Sequence, residues 1–128
     1  MNKEDKKLLL IDLCSRLPHK VKCEINGRVE ILDSICDDDG YYFNFIGEDK
    51  EGYTIDEVKP YLFPLSSMTE EQKNIYGDLS YAIIHSLAWD MQAELNKLVD
   101  WLNKNHLDWR GLIEKGLAID ATGLNIYK

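Results

Sequence analysis

The first pattern of apolar and polar positions along the chain is that of an amphipathic helix over residues 3–16. Leucines recur there at spacings of three and four residues, which places them on one helix face. The apolar set is Leu9, Leu10, Leu13 and Leu17, and the polar set expected in solvent is Lys6, Lys7, Asp12 and Arg16. Pro18 ends this helix, because the residue before a proline avoids the helical conformation.

From His19 onward the apolar period changes to two, which is typical of β-strands. Residues 20–25 and 28–35 are predicted strands on either side of Asn26 and Gly27, a dipeptide that favours a tight hairpin turn. The chain therefore enters an antiparallel sheet directly after its first helix.

The register of this hairpin depends on the length of its loop. A two-residue loop would place Cys23 opposite Glu30, an apolar side chain against a charged one. A three-residue loop over residues 25–27 would place Cys23 opposite Val29 instead. We predict the three-residue loop, since a slip by one residue turns the apolar set of a strand to the other face.

Two more strands are predicted at residues 41–46 and 53–55, after turns at residues 37–40 and 47–52. A helical turn and an extended segment follow. Four short antiparallel strands in a meander predict a small SH3-like barrel or a curled sheet over residues 19–65.

The second half of the chain is helical in pattern. Ser67 with Glu70 and Thr69 with Gln72 have capping-box spacing, which indicates a helix start. An apolar stripe then continues at spacings of four and three: Leu79, Ile83, Leu87, Met91, Leu95, Leu98 and Leu102. This predicts one long amphipathic helix of roughly seven turns. Such a helix would exceed the sheet it covers, so we expect self-association through it.

Polar residues crowd together in the segment 103–120. Local roles account for them: His106 lies near a helix end, Asp108 caps a short C-terminal helix, and Arg110 pairs with Glu114. Gly116 is the expected left-handed stop of that helix. We therefore predict a junction between the end of the long helix and a short C-terminal helix here, and not a catalytic site. Residues 120–128 are predicted to form a tail.

Length and pattern together predict a single α+β domain over residues 1–128. Its parts are the N-terminal helix (1–18), the β-meander (19–65) and a helical part (66–128). Neither a membrane-spanning stretch nor a signal-peptide core is present, so we expect a cytoplasmic protein that does not bind membranes.

The net charge is −8, and residues 21–60 carry eleven acidic and four basic side chains. Nucleic-acid-binding proteins present basic surfaces, so direct binding of DNA or RNA is not expected. The acidic middle would keep the protein soluble or face a basic partner.

Candidate chemistry is sparse. Cys14, Cys23 and Cys36 have no partners at zinc-site spacing, and we expect reduced, buried thiols. An EF-hand loop through residues 37–40 would put isoleucines at its first and twelfth positions, which excludes it. Spacing indicates no nucleophile–base pair and no phosphate-binding loop. We therefore predict no enzyme activity, no cofactor and no metal.

Aromatic residues concentrate in the predicted sheet. Tyr42, Tyr53 and Tyr61 are candidate partner-binding residues, because tyrosines line the peptide grooves of SH3-like barrels. The alternative is that they are half-buried without a ligand. Phe43 and Phe45 are expected to fill the barrel.

Three segments of the chain, "LCSRLPHKVKCEINGRV", "IDEVKPYLFPLSSMTEEQ" and "NHLDWRGLIEKGLAIDATGLNIY", resemble small proteins encoded in gut Bacteroides genomes and their prophages. The resemblance implies a source and a connection to phages or mobile elements. It implies no activity and assigns no functional residue. The expected function is that of a non-enzymatic, protein-binding accessory module. The alternative is an acidic phage-type inhibitor of a host nucleic-acid-binding or defence protein.

Overall fold

The computed structural model describes residues 1–47 and 52–128. It is an α+β protein with an N-terminal helix, a mixed sheet and two later helices. The elements are α1 (Lys3–Arg16), β1 (Lys22–Ile25), β2 (Arg28–Asp37), β3 (Tyr41–Phe45), β4 (Lys59–Pro64), α2 (Glu70–Ile84), α3 (Met91–Lys104), β5 (Leu107–Asp108) and β6 (Ile119–Asp120). None of the helices in these ranges combines the length and apolar composition needed to cross a bilayer.

Helix α1 has the predicted bounds, and its first turn is capped by the Asn2 side chain, which accepts from the amide of Asp5 at 2.7 Å. The prediction that Asp12 and Arg16 face solvent is wrong, since both are 0% exposed. Both lie where α1 packs against the C-terminal segment, since they pair with each other, Asp12 also accepts from Arg110, and Arg16 also donates to the Leu107 carbonyl.

The hairpin of β1 and β2 has a two-residue loop, so the predicted three-residue loop is wrong. Cys23 lies opposite Glu30. Asn26 and Gly27 both have positive φ, 50° and 79°, as a type I′ turn requires. The turn preference of this dipeptide determines the register, and Val29 lies 43% exposed on the outer face. A single exposed valine lowers the stability of the fold little, and Leu32 is the residue of β2 that is buried in the core.

The predicted four-stranded antiparallel meander is not confirmed, because the sheet is mixed. β1, β2 and β3 are antiparallel neighbours, joined at residues 37–40 by the predicted turn. The expected fourth strand is reduced to one bridge between Phe43 and Tyr53. Instead β4 pairs antiparallel with β1 and parallel with both β5 and β6. The predicted turn at residues 47–52 lies mostly outside the described residues.

The predicted single long helix is two helices, α2 and α3. Thr69 and Gln72 form the predicted capping box, whereas Ser67 instead lies in a preceding 3₁₀ turn. After α2 ends, the Ser86 hydroxyl donates to the carbonyl of Ile83 at 2.7 Å, a side-chain bond that competes with helix continuation. α2 and α3 then pack against each other. The apolar stripe continues across the break, so its period does not reveal the turn.

The predicted short C-terminal helix does not form. Residues 109–118 make a series of turns, and Gly111 and Gly116 both have positive φ. Gly116 takes the left-handed conformation expected of it. The Asp108 carboxylate accepts from the amides of Leu112 and Ile113 at 2.8 and 2.9 Å, so it caps a turn and not a helix.

The hydrophobic core lies between α1, the sheet and the C-terminal segment. Its fully buried members come from all three parts: Leu9, Leu13, Val21, Cys23, Ile25, Leu32, Phe43, Phe45, Tyr53, Val58, Leu62, Leu112, Leu117 and Ala118. None of the residues of α2, all of which lie in the described part of the chain, is buried. The helical pair is therefore attached to the body mainly through the end of α3, where Leu102 and Asn103 are buried.

Candidate functional site

The three tyrosines predicted to bind a partner lie in different environments. Tyr53 and Tyr61 are 2% and 8% exposed, so their rings offer little area to a ligand. Tyr42 is half-buried and lies beside Gly52, where a Cβ would come within 3.3 Å of its ring. A partner-binding role stays a prediction for these residues, and only Tyr42 has a partly accessible side chain.

A buried charge cluster joins α1 to the segment after α3. Arg16 Nε donates to Asp12 Oδ2 at 2.8 Å, and Arg16 Nη2 donates to the carbonyl of Leu107 at 2.7 Å. Arg110 Nη1 donates to Asp12 Oδ1 at 2.7 Å and to Ser15 Oγ at 3.1 Å. Arg110 makes this longer-range contact and not the predicted pair with Glu114, which is exposed and where water would screen an ion pair.

Trp109 completes this cluster on its outer side. The Arg110 guanidinium lies 3.9 Å from the Trp109 ring, and Trp109 Nε1 donates to Asn103 Oδ1 at 3.0 Å. The polar residues that crowd the sequence here thus hold α1, α3 and the C-terminal segment together. These contacts stabilise the fold, and the absence of a catalytic site in this segment stays a prediction.

A cleft of about 540 Å³ lies between Phe63 of β4, the end of α3 and the C-terminal residues. The rings of His106 and Tyr127 stack there at 3.6 Å. Burial, helped by the positive charges of Arg16, His19 and Lys22, lowers the pKa of His106 to about 4. The imidazole is therefore neutral at pH 7, and its buried Nδ1 has no hydrogen-bond partner among the described residues.

The predicted tail closes this cleft. The Tyr127 hydroxyl accepts from the amide of Lys22 at 2.9 Å and donates to the carbonyl of Tyr61 at 2.7 Å. Burial raises the pKa of this phenol well above its usual range. The C-terminal residues are thus part of the fold, a role that the sequence pattern did not indicate.

Five exposed apolar side chains lie at the end of α2, in the turn after it and at the start of α3. We call them the α2–α3 turn surface: Tyr81, Ile84, Leu87, Trp89 and Met91. Ile84 and Trp89 are each 77% exposed. The prediction placed Leu87 and Met91 on the apolar stripe of one long helix that would exceed the sheet and need a partner, whereas the turn between α2 and α3 was not predicted.

A second exposed apolar surface lies along α1. This groove of about 480 Å³ has apolar walls, among them Leu10, Ile11 and Tyr41, with Lys3, Lys6 and Lys7 around it. We call it the lysine groove. Lys6 Nζ lies 3.4 Å from Asp56 Oδ2. A basic rim around an apolar floor suits an apolar ligand that carries negative charge.

The remaining candidate chemistry is limited. Cys23 is buried, and burial raises the pKa of its thiol far above the usual range, whereas Cys14 and Cys36 are exposed. The predicted burial therefore holds for Cys23 alone. Across residues 1–47 and 52–128, no group of three or more His, Cys, Asp or Glu side chains is placed to hold a metal ion.

The described residues form an α+β fold with a mixed sheet, and apolar side chains are exposed along α1 and around the turn between α2 and α3. Comparisons with protein-family models, curated proteins and solved structures give no match to this chain.

Proposed function

We propose that this protein is a protein-binding accessory module that acts by docking its α2–α3 turn surface on another protein and not by catalysis. The observation that carries the proposal is the exposure of Ile84 and Trp89, each at 77%, within one short segment. Exposed apolar patches on water-soluble chains commonly mark interaction sites. Tryptophan is also the residue most enriched among energetically dominant interface positions.

The fold gives this surface no structural role of its own. No residue of α2 is buried, and the buried residues of α3 are in its last turn; both helices lie within the part of the chain that the structure describes. Ile84, Leu87 and Trp89 are 77%, 59% and 77% exposed and lie outside the buried core, so we expect polar side chains at these positions to cost the fold little. Burial of these three side chains would contribute roughly 5 kcal/mol or more. That is comparable with the lower estimates of the cost of association, so a complex needs only modest further contact.

The resemblance to proteins of Bacteroides and their prophages supports a phage or mobile-element origin for this module. The alternative function, an acidic inhibitor of a host nucleic-acid-binding or defence protein, rests on a different surface. Asp37, Asp38 and Asp39 are exposed at the tip of the β2–β3 hairpin, where three adjacent carboxylates would attract a basic protein. The two functions therefore predict different sensitive residues.

The test is affinity capture from a Bacteroides lysate with quantitative mass spectrometry. The turn variant, Ile84→Asp with Trp89→Asp, should lose proteins that the unmodified chain retains. The control, Asn74→Asp with Gln92→Asp, adds the same charge at exposed polar positions of α2 and α3 and should retain them.

A third variant separates the two functions. Replacing Asp37, Asp38 and Asp39 by asparagine removes the acidic tip, and asparagine tolerates the positive φ of 52° at position 39. Loss of the captured proteins with this variant but not with the turn variant would favour the inhibitor. Equal capture by all variants, together with no self-association of the unmodified chain, would refute the proposed docking function.

A further inference from the structure

Two unpartnered surfaces of this chain are opposite in charge. The lysine groove presents Lys3, Lys6 and Lys7 in a protein whose net charge is −8. Residues 74–96, which contain the α2–α3 turn surface, carry three acidic side chains and no lysine or arginine. The groove would therefore attract the turn segment, while the rest of this acidic chain would repel it.

The two surfaces also match in apolar character. Ile11 and Tyr41 in the groove are 46% and 50% exposed, so they leave an apolar floor uncovered. Asp90 lies between Trp89 and Met91 in sequence, so the turn carries a carboxylate beside large apolar side chains, whereas Glu94 is already paired with Lys97 at 3.1 Å. A ligand of this composition can place its apolar groups on the floor and its carboxylate at the lysine rim.

Within one chain the two surfaces do not meet. The last turn of α1 and the 3₁₀ turn Leu17–His19 after it contact the second half of α3: Asn103 donates to the Ser15 carbonyl at 3.5 Å, and His19 Nε2 lies 3.1 Å from Asp100 Oδ1. The groove lies along the first turns of α1, whereas the turn surface precedes α3, which is roughly 20 Å long at 1.5 Å per residue. A second copy can supply what one chain cannot bring together.

We propose that the lysine groove binds the α2–α3 turn surface of a second copy of this chain, head to tail. The proposal rests on the proposed docking function and names its partner. Because the two faces differ, the contact is heterologous, and each chain keeps one free face for a further copy. Assembly should therefore grow with concentration and weaken with salt, since screening reduces the attraction between lysines and carboxylates.

The experiment uses two variants that each disable one face. The groove variant, Lys3→Glu with Lys7→Glu, leaves the Lys6–Asp56 ion pair in place, and acidic residues suit the first turns of a helix. The turn variant is Ile84→Asp with Trp89→Asp. The control, Lys115→Glu with Lys128→Glu, makes the same charge change at exposed positions elsewhere. Circular dichroism establishes that each variant folds, and sedimentation velocity measures its assembly.

The unmodified chain and the control should associate as concentration rises, while each variant should associate at least about tenfold more weakly. An equimolar mixture of the two variants should restore a complex that stops at two chains, because it joins one intact turn to one intact groove. Association of the groove variant at the strength of the unmodified chain would overturn the proposal and leave the docking function standing. So would a monomeric unmodified chain whose turn surface still captures a host protein. If the turn surface supports neither association nor capture, both proposals fail.

Discussion

Replacing Asp12 by alanine should be among the most destabilising single substitutions in this protein. Its carboxylate accepts from Arg16 Nε at 2.8 Å and from Arg110 Nη1 at 2.7 Å, and its side chain is 0% exposed. Without it Arg16, which is also 0% exposed, would keep a buried positive charge with no counter-charge in contact. Breaking a buried ion pair in this way costs about 3–5 kcal/mol. That is a large part of the 5–15 kcal/mol that stabilises a typical domain.

A double variant tests whether the uncompensated charge is the cause. Asp12→Leu with Arg16→Met removes both charges and replaces them by apolar side chains. The double variant is still destabilised by two losses, the hydrogen bond from Arg16 to the Leu107 carbonyl and the contact of Arg110 with Asp12. The Arg110 side chain is 13% exposed and can bind water instead. We therefore expect this double variant to be more stable than Asp12→Ala alone, although it changes more atoms.

Urea unfolding followed by tryptophan fluorescence and far-ultraviolet circular dichroism measures both variants. Asp33→Ala, an exposed aspartate in β2, is the control and should change stability by less than about 0.5 kcal/mol. A cost below about 1 kcal/mol for Asp12→Ala, or a double variant less stable than the single one, would refute the role given to the buried charge.

Two further predictions concern the C-terminal segment. The pKa of His106 is about 4 in the folded protein and near 6.5 when unfolded, so the unfolded state binds more protons between those values. The unfolding free energy should thus decrease by about 2 kcal/mol, after allowance for solvent contact, as the pH drops from about 6.5 to about 4. His106→Asn has no imidazole to protonate and should not show this decrease. Tyr127→Phe removes the hydroxyl that bonds to Lys22 and Tyr61, and it should lower the free energy of unfolding measured in urea by about 1–3 kcal/mol. A decrease below about 0.5 kcal/mol would show that the hydroxyl does not anchor the C-terminal residues.

Local patterns in the sequence predicted local structure well. The bounds of α1 and the capping box of α2 were predicted because their signals lie within a few residues of each other. The burial of Asp12 and Arg16 could not be predicted, since their partners Arg110 and Leu107 are 98 and 91 residues away. A helical wheel places a charged residue in solvent unless a distant partner is known.

The parallel part of the sheet was missed for a related reason. β5 and β6 have two residues each, too few for any period of apolar residues to appear. They pair with β4 because turns after α3 bring them to its free edge, an arrangement that depends on tertiary packing. The apolar period also continues through the break between α2 and α3, so the sequence predicted one long helix and not the exposed turn that supports the proposed function.

The residues that stabilise the fold and those that support the proposed binding are separate sets. The core and the cluster of Asp12, Arg16 and Arg110 join α1, the sheet and the C-terminal segment. Ile84 and Trp89 lie beyond them on a helical pair that is anchored to the body through the end of α3. Substitutions on the turn should therefore weaken association and leave the unfolding free energy almost unchanged. Asp12→Ala should lower the unfolding free energy and leave association unchanged under conditions where the variant is folded. A protein that used these apolar residues for its own folding would show both effects together.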